Sequence, residues 1–112
     1  MKLLIVGSRT IKKFALEKYI PKETTMIITG GAEGIDSLAE KYADEKRLSK
    51  LVLRPQYNLF GRAAPLKRNE EMVKICDVAL IVWDGISKGT EYTIRYADKL
   101  GKNVILITES KI

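Results

Sequence analysis

Five short apolar runs divide this chain, and their character sets its fold class. They are "LLIV" (residues 3–6), "MIIT" (26–29), "LVL" (51–53), "VALIVW" (78–83) and "NVILIT" (103–108), all rich in Val, Ile and Leu. None alternates apolar with polar residues, which is the pattern of strands covered on both faces. Between them lie stripes at helical spacing. Ile35, Leu38, Ala39, Tyr42 and Ala43 form the cleanest, Asn69, Met72, Val73 and Cys76 a second, and Ile94, Ala97 and Leu100 a third. Residues 11–20 read as a shorter, weaker helix ended by Pro21. Strand and helix therefore alternate along the whole chain. Right-handed crossovers turn that alternation into an α/β fold: a single Rossmann-like domain over residues 1–112, with a five-stranded open parallel sheet in the order 3-2-1-4-5 and helices on both faces. The longest irregular piece is "PQYNLFGRAA" (55–64), long enough to be a functional loop.

In such a sheet, ligands bind beyond the carboxyl ends of the strands. The unusual loops all fall at that end: "GSRTI" after the first strand, "GGAEGID" after the second, "RPQYNLFGRAAPLKRN" after the third and "DGISKGTE" after the fourth. The opposite end has plain turns, "PKETT" and "LGKN". Glycines ahead of a helix let backbone amides converge on an anion, and the helix N-terminus adds about half a positive charge. Two loops, around residues 30–34 and 85–89, offer this to a phosphate. Asp36, in the first turn after the second loop, suits either a carboxylate that stabilises the helix start or a ligand group facing a ribose.

The charges sort by place. With 20 Lys and Arg against 14 Asp and Glu the formal net charge is +6, mostly lysine spread over helices, which needs no partner. Arg9, Arg54, Arg62 and Arg68, with Lys88, instead gather in or beside loops at the carboxyl end of the sheet. Guanidinium forks match phosphate bidentately, so this grouping favours a phosphorylated ligand over pairing with Glu33, Asp36, Asp84 or Glu91. Trp83, at the end of the fourth run, and Tyr57 and Phe60, in the long loop, are the aromatic groups that could hold a base, and packing would equally account for them. Asn69, heading an otherwise apolar stripe, calls for a hydrogen-bond partner, either a ligand or a neighbouring loop.

Some chemistries are excluded. There is no histidine and one cysteine, so no disulfide within the chain, no Cys/His cluster and no metal site is expected, and no cofactor. No run reaches the roughly 18 apolar residues of a membrane helix, and the apolar stretch after Met1-Lys2 is too short for a signal peptide, so a cytoplasmic protein without a membrane partner is expected.

"VGSR", "TGGAEGID", "GRAAPLKRNEEM" and "IVWDGISKGT", in this order and spacing, resemble the YspA-like, cpYpsA-related branch of the SLOG superfamily, to which DprA and the LOG phosphoribohydrolases also belong. The resemblance runs from about residue 2 to residue 108. It implies a Rossmann-like sheet that binds nucleotides or nucleotide-derived ligands, commonly as a homo-oligomer. By the match, Gly7, Ser8 and Arg9 carry the first loop; Gly30, Gly31, Gly34 and Asp36 the second; Arg62, Arg68 and Asn69 the third; Trp83, Asp84, Gly85, Ser87, Gly89 and Thr90 the fourth.

The resemblance also separates function classes. LOG enzymes look like P-G-G-x-G-T-x-x-E, whereas Thr93 stands here in place of that glutamate. Glu91 falls two residues early, about 200° round a helix at 3.6 residues per turn. The glycine loop is similar to the S-G-x-A-x-G-I-D stretch of DprA, but the histidine that follows it there is missing. The expected function is therefore binding or sensing of a nucleotide-like phosphorylated small molecule. The first alternative is a nucleoside-monophosphate phosphoribohydrolase using Asp84, Glu91 or Asp36 as catalytic carboxylates. The second is DprA-like single-stranded nucleic-acid binding, for which the chain offers no stacking platform.

Overall fold

The computed structural model describes residues 1–109. Its elements are β1 (Lys2–Gly7), β2 (Met26–Thr29), α1 (Ile35–Glu45), β3 (Ser49–Val52), α2 (Tyr57–Phe60), α3 (Ala64–Ile75), β4 (Val78–Trp83), α4 (Lys88–Lys99) and β5 (Asn103–Thr108). All five strands are parallel and stand in the order β3-β2-β1-β4-β5. The register sets Leu4 of β1 between Ile28 of β2 and Ala79 of β4. Successive residues of a strand face opposite sides, so β1 serves two cores. Leu3 and Ile5 meet Ile27, Leu80 and Val82 under Ile35, Ala39 and Ala43 of α1. Leu4 and Val6 meet Ile28, Ala79 and Ile81 under Met72 and Val73 of α3 and Ala97 of α4. The unalternating apolar runs are thereby explained.

Four expectations are corrected. Residues 11–20 do not form an α-helix; a single 3-10 turn spans Leu16–Tyr19. Ile11 and Leu16 are anchored in the core, Phe14 stacks on Tyr19, and no side chain caps the turn. Ten residues without a cap cannot offset the cost of helix nucleation when their apolar groups are better placed by an extended crossing. The irregular segment at 55–64 contains α2 and a 3-10 turn at Gly61–Ala63 that leads directly into α3. The Gln56 carbonyl accepts from the amides of Leu59 and Phe60, and Pro65 sits in the first turn of α3, where a missing N–H costs nothing. The outer strands are not covered on both faces: Lys50 and Leu51 of β3 and Leu106 of β5 are exposed, because an edge strand has neighbours on one side alone. β3 also starts two residues earlier than the run at 51–53 implied. No helix among the described residues is long and apolar enough to cross a membrane.

The sequence of connections sets the site. The chain runs outward from β1 to β3, then returns through α3 to β4, so strand order reverses between β1 and β4. Loops after all four strands rise at one end. Because Ile5 lies in the central strand and is fully buried, Ile5→Ala is expected to cost about 2–5 kcal/mol of unfolding free energy. Leu106→Ala, at a side chain 44% exposed on the edge strand, should cost less than about 1 kcal/mol. Urea unfolding of both variants measures the contrast.

Candidate functional site

The switch point between β1 and β4 is laced by the protein's own hydrogen bonds. The Ser8 amide donates to the Val82 carbonyl at 3.0 Å, and the Asp84 amide donates to Ser8 Oγ at 2.9 Å. Asp84 Oδ1 accepts from the amides of Ile86 (2.9 Å) and Ser87 (2.7 Å), while Oδ2 accepts from the hydroxyls of Ser87 and Thr10, both at 2.8 Å. Desolvation pushes this carboxyl up, but those four donors together outweigh it and hold it well below the usual carboxylate range. Trp83 Nε1 donates to the Ser87 carbonyl at 2.9 Å, so the indole braces the same turn. Gly85, at φ +84°, makes the turn, and Gly89 and Thr90 lie in the first turn of α4, open space standing where a Gly89 Cβ would be.

The glycine loop after β2 is held from beneath by Asp36. Its Oδ2 accepts from the amides of Gly30 (3.1 Å) and Ala32 (3.3 Å). The carboxylate thus holds the glycine loop that leads into α1. Arg68 of α3 approaches the same loop: its Nη1 donates to the carbonyls of Gly30 and Leu53, and its Nε donates to Asn69 Oδ1 at 2.8 Å. Both charged groups are buried, at 3% and 9% exposure. Burial raises the Asp36 carboxyl above its ordinary value, against the pull of the Ala32 amide and the Arg68 charge; burial also lowers Arg68, helped by the nearby Arg9 charge.

These contacts explain two glycines. A Cβ on Gly30 would stand 2.7 Å from Arg68 Nη1 and 2.8 Å from Asp36 Oδ2. Gly34 caps α1 at φ +75°, and a Cβ there would stand 2.6 Å from the Ser8 carbonyl oxygen and 2.7 Å from that of Arg9. The protein's own groups, rather than a ligand, exclude side chains at both positions. Neighbouring Gly31 offers its carbonyl to Arg54 Nη1 at 3.2 Å.

A polar cleft of about 370 Å³ opens above this loop, lined by Arg9, Gly30, Gly31, Ala32, Glu33, Pro55, Tyr57 and Arg68. Arg9 and Tyr57 are exposed, and Lys12 draws Glu33 into an ion pair at 3.2 Å. Of the residues expected in the site, Arg9, Gly30, Gly31 and Arg68 line this cleft. Ser8, Gly34, Asp36 and Asn69 stand behind its lining, and Gly7 ends β1 below it. Trp83, Asp84, Gly85, Ser87, Gly89, Thr90 and Glu91 belong to the fourth loop and α4, and Arg62 is exposed in the 3-10 turn; none of these lines the cleft.

Asn69 proves to be internal. Its Nδ2 donates to Thr93 Oγ1 at 2.9 Å, and the Thr93 hydroxyl donates to the Gly89 carbonyl at 3.0 Å. A continuous chain of hydrogen bonds thus joins the Gly30 carbonyl to the first turn of α4 through Arg68, Asn69 and Thr93. Thr10 and Thr93 were not singled out from sequence for these roles. Their partners, Asp84 and Asn69, lie 74 and 24 residues away, beyond the reach of any local pattern.

Compared with known proteins, the chain is 32% identical over 117 aligned positions to the Gene 61 protein of Mycobacterium phage D29, a match that covers 93% of this chain and 94% of that protein. The chain belongs to the family of that phage protein. No family model matches it, and no solved structure does.

Asp36→Ala leaves the amides of Gly30 and Ala32 without their acceptor and is expected to cost about 1–3 kcal/mol. Asp36→Asn, which keeps an acceptor, should cost less. The two aspartates should also respond to acid with opposite signs. Asp36 has a raised folded value, so its contribution is complete below its ordinary 3.8 and is lost as pH rises through the raised value. Asp84 has a depressed one, so its contribution is complete above 3.8 and is lost as pH falls below it. Urea midpoints measured from pH 3 to 7 should show the cost of Asp36→Asn shrinking with rising pH and that of Asp84→Asn growing.

Proposed function

We infer that this member of the phage Gene 61 protein family binds or senses a nucleotide or nucleotide-derived phosphorylated ligand, in the manner the SLOG resemblance implies, with the polar cleft as its site. One observation carries the reading: Arg9 and the buried Arg68 converge on a cleft floored by glycine-loop backbone, close enough that the Arg9 charge depresses Arg68. Like charges crowd favourably where an anion offsets them. Arg68 spends Nε and Nη1 on Asn69, Gly30 and Leu53, and this fixes the plane of its guanidinium while Nη2 remains for a ligand. Exposed Tyr57 supplies a face on which a base can stack.

Binding is favoured over glycosidic cleavage by what the carboxylates are doing. Asp84 accepts four hydrogen bonds, and Asp36 is buried under the loop that it holds. Glu91 lies in the first turn of α4, away from the cleft lining. Departure of a base needs a carboxyl group free to take up or give a proton at the reacting centre.

A thermal-shift series with AMP, GMP, CMP, UMP and IMP tests the reading. At 100 times its dissociation constant a ligand adds about 2.7 kcal/mol of stability. At least one of the five should raise the melting temperature, and Arg9→Ala, at an exposed side chain, should abolish that rise while leaving the unliganded protein's melting unchanged. If neither these mononucleotides nor dinucleotides made from them shift the parent, the reading is wrong. In the same mixtures, chromatography should find no free base or ribose 5-phosphate. Its appearance would favour the phosphoribohydrolase alternative.

A further inference from the structure

A second cleft, of about 340 Å³, lies on the other side of the same arginines. Val52, Leu53, Phe60 and Ala64 give it an apolar floor, and Arg54, Gln56, Lys67, Arg68 and Glu71 surround them. Glu71 pairs with Lys74 at 3.3 Å, so the cations set the sign of this cleft as well. Arg68 lines both clefts. Arg54 lines the second and donates to the carbonyl of Gly31, which lines the first. The partition is therefore a ridge of two guanidinium groups, fixed on the successive carbonyls of Gly30 and Gly31. Each side has one exposed aromatic ring. Tyr57, 58% exposed, edges the first cleft, and Phe60, 46% exposed, edges the second.

Each cleft lies near the lower end of ligand-pocket volumes, roughly 300 Å³, so neither needs more than one nucleoside to occupy it. A cationic ridge with an aromatic face on either side is complementary to a molecule with the inverse pattern, in which an anionic bridge joins two aromatic ends. The geometry points to a dinucleotide as the ligand, its bridging phosphate on the ridge of Arg54 and Arg68, one base against Tyr57 and the other against Phe60. This rests on the reading of the site as a nucleotide site and narrows it. Joining two weakly held ends through one linker makes the second contact intramolecular, so the linked molecule gains affinity that neither half has alone.

Calorimetric titration with three probes decides it: AMP, adenylyl-(3′→5′)-adenosine with one bridging phosphate, and diadenosine diphosphate with two. One of the dinucleotides should bind at least tenfold more tightly than AMP. Tyr57→Ser and Phe60→Ser, at exposed positions, should each remove most of that advantage. AMP and both dinucleotides binding within twofold of one another would overturn the inference and leave the nucleotide reading standing. Binding by none of the probes, nor by any mononucleotide, would overturn both. A dinucleotide advantage that survives both substitutions, or a Phe60→Ser protein that changes subunit number rather than affinity, would also overturn it, the latter marking that ring as a contact between copies. A log-log salt slope for an eight-nucleotide strand that exceeds two neutralised phosphates, at about 0.7 per phosphate, would replace the dinucleotide with single-stranded nucleic acid.

Discussion

The site depends on a buried opposition of charge across one glycine. Asp36 below and Arg68 beside the loop both reach Gly30, one through its amide and the other through its carbonyl. Each charge is costly to bury, and each is partly offset by the other's charge. Together they join the end of β2 and the start of α1 to α3, whose Arg68 lies 38 residues from Gly30. A third loop is bound to them, since Arg68 also holds the Leu53 carbonyl at the end of β3. The sheet ladder positions the strands, and these few bonds fix the loops at the ends of β2 and β3 on top of it. Apolar packing locates the helices over the sheet, but it is non-directional and does not fix the plane of a guanidinium.

The fourth loop uses a different device with the same effect. Asp84 accepts four donors from two loops, and Ser8, buried, passes the strand register of β1 into that network. The two centres are not independent. The amide of Asn69 and the hydroxyl of Thr93 carry hydrogen bonding from Arg68 to the Gly89 carbonyl, so the second and fourth loops are braced against each other through α3 and α4. The floor of the cleft therefore consists of polar groups that already point in fixed directions, the kind of arrangement that lowers the ordering cost of binding.

Most of the fold was legible in the sequence because it depends on periodicity and on the handedness of crossovers. Residues 26–29, 78–83 and 103–108 become strands over the extents of their apolar runs, and the strand order follows from the alternation. The helix expected at 11–20 is replaced by a 3-10 turn, because core anchors such as Ile11 and Leu16 can be seated by an irregular crossing as well as by a helix. Of the residues expected in a site, Arg9, Gly30, Gly31 and Arg68 line the cleft, and Gly34, Asp36 and Asn69 do not, being taken up by contacts within the protein. The glycines exclude side chains because Arg68, 38 residues from Gly30, and the backbone of the first loop approach them, and pairings of that range leave no trace in local spacing.

The place of β1 in the sheet has a consequence for how the chain is made. Strand β1 becomes the middle of the sheet, and its two neighbours leave a ribosome after it at different times. β2 begins 24 residues after β1 and β4 begins 76 residues after it, counted from Lys2, Met26 and Val78. The half formed by β1, β2 and β3 is contiguous and can assemble while the rest is still being synthesised. Until β4 emerges, however, the apolar backbone edge of Leu3, Leu4, Ile5 and Val6 has no partner. An unpaired strand edge of that composition is a template for pairing with another nascent chain. The interval between the two halves is therefore when this small protein is most exposed to aggregation, and it closes when Leu80 and Val82 complete the core begun around Leu3 and Ile5.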